Sequence, residues 1–316
     1  MKSCVQATIT VAVVIGTGIW SLAALGQNGF DNNGQCVGDA NSDGRVAINE
    51  LVLSVNNSLT GCQLVPVTLK FAATVGDAPF ACGTTYTGVG LNRADYNPAD
   101  MRFYVHDIRL INAAGREVSV QLDTDTIWQH ENTALLDFED RTGGCINGTP
   151  QTNTVVRGVV PPGEYRGVRF VLGVPFDMNH QQPQLAPSPL NLTSLWWNWQ
   201  AGYKFVRIDE VDNKTRLHLG STGCQANEAG DAVLSCARPN RPDVILDGFD
   251  PDANVIVADL GALFADSELG TNQMDTKPGC QSEPFDADCE PILTNAGLNF
   301  NNGLPDPSRQ VFFRVE

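Results

Sequence analysis

Histidine is scarce in this chain: four in 316 residues, at His106, His130, His180 and His218. A lone histidine is usually a satisfied structural residue, so an imidazole site here requires that several of the four converge. Basic residues are also few, 20 Lys and Arg against 36 Asp and Glu, which leaves a formal charge of −16. That balance argues against nucleic acid and anionic membrane surfaces as partners, because both are themselves negative. No phosphate-cradling glycine loop, Gly-x-Ser-x-Gly elbow, His-Glu-x-x-His helix or tandem repeat occurs, so hydrolytic chemistry has no motif behind it. Among so many carboxylates a glycosidase pair is possible in principle, but a sequence does not reveal the separation that such a pair needs.

Only one long hydrophobic run exists, from about Val5 to Leu25 after Lys2, with Ala24 and Gly26 as the small residues preceding Gln27. This pattern predicts a signal peptide over residues 1–26 and export to the periplasm, the medium or the cell surface, with no membrane span after cleavage. Cys4 leaves with the peptide. Eight cysteines remain, none in a Cys-x-x-Cys pair, and an even count in an exported chain favours disulfides over thiolate metal sites. Local spacing suggests Cys36 with Cys62, Cys224 with Cys236 and Cys280 with Cys289, leaving Cys82 to meet Cys145.

The segment from Cys36 to Glu50 carries oxygen ligands at the spacing of an EF-hand loop. With Asp39 first, Asn41 and Asp43 fall at positions three and five, Gly44 at the sharp turn, Arg45 at the backbone-carbonyl position and Glu50 at the bidentate twelfth. Calcium is therefore expected here, with a helix to follow. The segment resembles a single dockerin repeat and is assigned residues 27–65. A module this small needs the ion and the Cys36–Cys62 bridge to hold it, whether or not it also docks a partner.

Residues 66–316 are long enough for one sizeable β domain. Short β-rich runs alternate with turn signals: Val67 to Ala73, Met101 to Ile111, Val118 to Leu122, Thr154 to Val160, Tyr165 to Leu172, Tyr203 to Glu210, Lys214 to Leu219, Val244 to Leu246, Val255 to Asp259 and Gln310 to Val315. The spacing predicts an all-β sandwich or open barrel with long loops. In the run from Met101 to Leu110, alternation assigns Arg102, Tyr104, His106, Ile108 and Leu110 to one face, and neither face is polar enough to meet water. One convincing helix is expected, Leu260 to Leu269, capped near Asp259. The long segment Phe176 to Trp199 holds Met178, His180, Trp196, Trp197 and Trp199, and so many aromatics argue for packing rather than disorder.

Five blocks carry a family resemblance: Trp128 to Asp140, Gly173 to His180, Ser188 to Asn191, Trp197 to Phe205 and His218 to Cys224. Together, and in this order, they closely resemble the MbnP-like family, the four-Cys member of the metallo-mystery pair. The resemblance runs from about Val67 to the C-terminus and leaves the calcium segment out. It implies an exported β-rich copper protein and a di-haem partner of the MauG and cytochrome c peroxidase type, which oxidises one tryptophan to kynurenine. It further implies a Trp-x-His ligand pair, matched by Trp128 and His130, and a second histidine from a distant loop. His180 and His218 are the candidates, with His106 behind them. The family's four cysteines would map onto Cys82, Cys145, Cys224 and Cys236.

The chemistry agrees with the resemblance. Opening the indole leaves an aniline-type amine that can donate to a soft or borderline metal, and neutral imidazole suits copper. On an extended strand Trp128 and His130 share a face. Met178 could add a thioether, although packing is its usual role. A non-catalytic structural module, docked through the calcium segment and with its histidines merely packed, is the competing reading. No substrate pocket can be argued, so an enzyme is not expected.

Overall fold

The computed structural model describes residues 45–60, 64–124, 126–212 and 214–316. The expected signal peptide, the expected calcium ligands Asp39, Asn41 and Asp43, and the expected Cys36–Cys62 bridge lie outside the described residues. Packing divides the chain into Met1–Gln63 and Leu64–Glu316. In the first unit a helix spans Ile48–Thr60, so it begins at the tenth position counted from Asp39. The buried Glu50 carboxylate accepts the Ala47 amide at 2.7 Å, placing a negative group in the first turn, where free N–H groups need acceptors.

The second unit is an all-β sandwich. One sheet runs Phe313–Val315, Ile256–Asp259, Val65–Val75, Val155–Val160 and Gln121–Leu122; the other runs Arg216–Leu219, Val206–Glu210, Pro98–Asn112, Tyr165–Leu172 and Asp243–Asp247. The inward residues are large and apolar because each strand has one face turned to the other sheet. Phe71 of the first sheet meets Phe103 and Phe170 of the second at ring-centroid distances of 6.3 and 5.9 Å, and Phe313 closes on Phe170 at 5.2 Å. All four rings are buried.

The long strand Pro98–Asn112 organises the second sheet, and most of it is buried on both faces. Along one side it pairs first with Val206–Glu210 and then with Tyr165–Leu172; along the other it pairs with Thr133–Asp137 and Glu117–Ser119. A bulge interrupts its alternation. Val171 faces His106 and Arg169 faces Arg109, so three residues on one strand span two on the other, with Asp107 at φ 52°. The bulge moves Ile108 and Leu110 to the inner face, a correction to the plain alternation that grouped them with His106. It also moves Arg109, which alternation grouped with Phe103, to the outside, where it pairs with Glu117 at 2.8 Å.

The strand at Tyr165–Leu172 does not continue directly into Val206–Glu210. Between them the segment 173–205 leaves the sheet and returns to the same residue: the Gly173 amide donates to the Tyr104 carbonyl at 2.8 Å, and the Tyr104 amide donates to the Phe205 carbonyl at 2.9 Å. Gly173 sits at φ 133°, and a Cβ there would fall 2.9 Å from the Phe205 ring. The segment folds over the outer face of the sheet, where the Tyr104 hydroxyl donates to the Pro189 carbonyl at 3.0 Å. Its aromatics do pack: Trp197 closes on Gly220, leaving no room for a Cβ there.

Asp259 caps the expected helix, accepting the Gly261 amide at 2.8 Å, but the helix stops at Leu263 rather than Leu269. The chain then breaks into turns that bury Phe264 and Leu269. A helix at Cys289–Asn295 was not expected. Three disulfides form as the spacing suggested: Cys82–Cys145, Cys224–Cys236 and Cys280–Cys289. Among the described residues, no helix is long and apolar enough to cross a membrane.

Candidate metal centre

A tight hairpin brings the Trp128 block onto the sheet. Gln129–His130 and Thr133–Asp137 are antiparallel, with Glu131 at φ 50° in the turn, and His130 stands opposite Thr133. Thr133 in turn stands opposite His106 of the long strand. Directly paired residues share a face, so His130, Thr133 and His106 form one row across three strands. Two strand spacings separate the histidine backbones, about 10 Å. The residue between them is small, and its hydroxyl points at the Met178 sulfur, 3.7 Å away. Met178 is buried and belongs to the short helix Phe176–Asn179, at the start of the covering segment. Trp128 sits in the bend just before Gln129. Its ring is half-buried against the core, and its carbonyl accepts the Leu135 amide at 2.9 Å.

The His106 ring is 9 % exposed, and its Nε2 has no hydrogen-bond partner among the described residues. Burial pushes its pKa down, the nearby Arg241 charge lowers it further, and Asp107 and Asp177 oppose them, leaving it at about 4. The imidazole is therefore neutral at physiological pH, as a metal ligand must be. Arg241 is itself fixed, donating to the Val174 carbonyl at 2.7 Å and lying over the Phe205 ring at 4.7 Å. His130 is more accessible, its Nε2 3.6 Å from Glu131 Oε1.

The other two histidines are engaged elsewhere. His218 stands opposite Arg207, which stands opposite Arg102, so strand spacing and rise put it about 16 Å from His106. Its Nε2 lies 2.8 Å from Asp209 Oδ1. Burial alone would raise the Asp209 pKa, but His218 and Arg207 hold the carboxyl well below the usual carboxylate range. Asp209 and His218 continue a buried charge network through Asp100, Arg102, Arg207 and Glu139. His180 donates from Nδ1 to the Trp199 carbonyl at 3.0 Å, and its Nε2 lies 3.8 Å from Cys236 Sγ. Of the two histidines offered as the distant partner, neither occupies the row; the sheet brings His106 opposite. Pairing across strands carries no local signal. The only hint was the shared alternation of His106 with Tyr104 and Arg102.

Of the expected calcium ligands, Arg45 and Glu50 are described: Arg45 is exposed and Glu50 is buried in the first helical turn.

No curated protein matches the chain. The MbnP family model matches residues 65–282. Among solved structures, MbnP from Methylosinus trichosporium is similar, with 32% sequence identity and a TM-score of 0.71, and the match covers 80% of this chain and 98% of that one. With the β domain matched through almost all its length, the chain belongs to the MbnP family.

Proposed function

We propose that this is an exported copper-binding protein of metal acquisition or homeostasis. Its centre is built on His106, His130 and Met178 beside Trp128, and it is completed when a di-haem partner of the MauG and cytochrome c peroxidase type oxidises Trp128 to kynurenine. The observation that carries this reading is the His130–Thr133–His106 row with the Met178 thioether against Thr133. Two neutral imidazoles and a thioether are a soft, uncharged donor set that favours Cu(I) over Zn(II) or Mg(II). The buried His106 Nε2, with no protein partner, fits a ligand awaiting its ion, since an unpaired buried polar atom costs about 1–3 kcal/mol. The calcium segment would be a separate folding module. Export agrees with three disulfides.

Trp128 lies two residues before His130, so an aniline amine formed from its indole would join the same donors. The conversion gains one oxygen and loses one carbon, a mass change of about 4 Da. Production with and without the di-haem partner, followed by peptide mass spectrometry, should place that change on Trp128 and accompany it with tighter copper binding. Trp128→Phe keeps the aromatic bulk but has no indole to open. If this variant, folded and partner-treated, binds copper as tightly as the treated parent, the Trp128 assignment is wrong.

A further inference from the structure

His180 lies outside the row yet is held as a metal ligand is held. Its Nδ1–H donates to the Trp199 carbonyl, which makes Nε2 an acceptor; it takes the Asn179 side-chain amide at 3.3 Å, a bond that a metal would replace. That nitrogen faces the strand pair Thr222–Ala226 and Val233–Arg238, where Cys224 and Cys236 stand directly opposite. His180 Nε2 and the two sulfurs all lie within 4.8 Å of one another, and all three residues are half-buried. A neighbouring groove of about 590 Å³, lined in part by Trp197, Gln200, Gly223 and Cys224, opens this bridge to solvent. The other two bridges among the described residues are more enclosed: Cys145, Cys280 and Cys289 are fully buried.

We propose that Cys224, Cys236 and His180 form a second soft-metal site, able to take Cu(I), which exists only while the Cys224–Cys236 bridge is reduced. The reductant is a dithiol. Its thiolate attacks one sulfur of the bridge, the S–S bond breaks with formation of a mixed disulfide, and the reductant's second thiol resolves it. Two electrons pass to the protein, Cys224 and Cys236 become thiols and the reductant becomes a disulfide. Binding of Cu(I) then displaces the two thiol protons, and two thiolates with one neutral imidazole supply three soft donors. The accessible bridge thus couples the redox state of its surroundings to copper capacity. This site is independent of Trp128 and of its modification.

The test uses protein made without the di-haem partner and carrying His106→Leu, so that the other centre contributes nothing. Anaerobic phosphine treatment, removal of the phosphine and a thiol count establish the reduced state. Titration with Cu(I) against a chromogenic chelator should show about one further equivalent bound by the reduced form over the oxidised form. Cys224→Ser with Cys236→Ser should lose it. His180→Gln should keep both thiols but weaken binding at least about tenfold. Should the double serine variant misfold, the reduced and alkylated parent replaces it as the control. Equal Cu(I) binding by reduced, oxidised and control forms would overturn the proposal, as would a His180→Gln variant indistinguishable from its parent.

Discussion

Replacing His106 by Leu separates the copper reading from ordinary core packing, because the two readings demand opposite results. Leu is close to imidazole in size, so the swap costs less than about 1.5 kcal/mol in packing. It also removes a buried ring nitrogen without a partner, which relieves about 1–3 kcal/mol. The copper-free variant should therefore be as stable as its parent or gain about 1 kcal/mol, a rise of about 2–4 °C in Tm for a domain of this size. With free copper at a hundredfold excess over Kd, the partner-treated parent gains about 2.7 kcal/mol. The variant should gain almost none. Melts followed by circular dichroism, with and without chelator-buffered Cu(I), read both quantities. His218→Gln supplies the contrast: it strips Asp209 of its 2.8 Å partner and should destabilise by about 1–3 kcal/mol, yet keep the full copper-induced rise. A His106→Leu variant that retains the copper-induced rise would sink the row as a metal centre.

Three further outcomes are expected. Asp137 is buried with its carboxyl pushed up to about 8, first by burial and then by Glu139 and Asp100 against the opposing Arg102. The folded state thus keeps a proton that the unfolded chain releases near pH 4, so stability should fall between pH 4 and 8 by up to about 1.4 kcal/mol per unit, and Asp137→Asn should flatten urea midpoints across that window. Loop-closure entropy assigns about 4.3 kcal/mol to the Cys82–Cys145 bridge, with a separation of 63, and about 2.8 kcal/mol to Cys224–Cys236, with a separation of 12. Paired Cys→Ala variants should therefore differ in Tm by several degrees in that order, and a reversed order in calorimetry would reject the entropic account. Asp39→Ala with Asp43→Ala should abolish calcium binding by isothermal titration while leaving the melting of the β domain unchanged.

Those features that were legible in the sequence were local ones. Strands from Val65–Val75 to Phe313–Val315 follow β-branched runs bounded by turn residues, and the Asp259 cap and short-range disulfides follow from spacing. The bulge at Asp107 was not legible, since no glycine marks it, and it alone sends Ile108 and Leu110 inward. Nor was the run Thr133–Asp137 recognised as a strand, because it is buried throughout and shows no alternation. The candidate centre depended on that strand. Trp128 and His130 were found by a motif within three residues, whereas His106 joins them only through a pairing partner, Thr133, that lies on neither segment.

The meeting of both ends of segment 173–205 at one residue changes how the covering segment can open. Fraying from either end first breaks a hydrogen bond to Tyr104, and that residue's hydroxyl also holds Pro189 near the segment's middle. Detachment is thereby concentrated into one cooperative event rather than a gradual peeling. The Tyr104 amide proton is its natural reporter. Hydrogen exchange at that single position would follow opening over Met178 and the histidine row, and a bound ion that links the segment to the sheet would slow it.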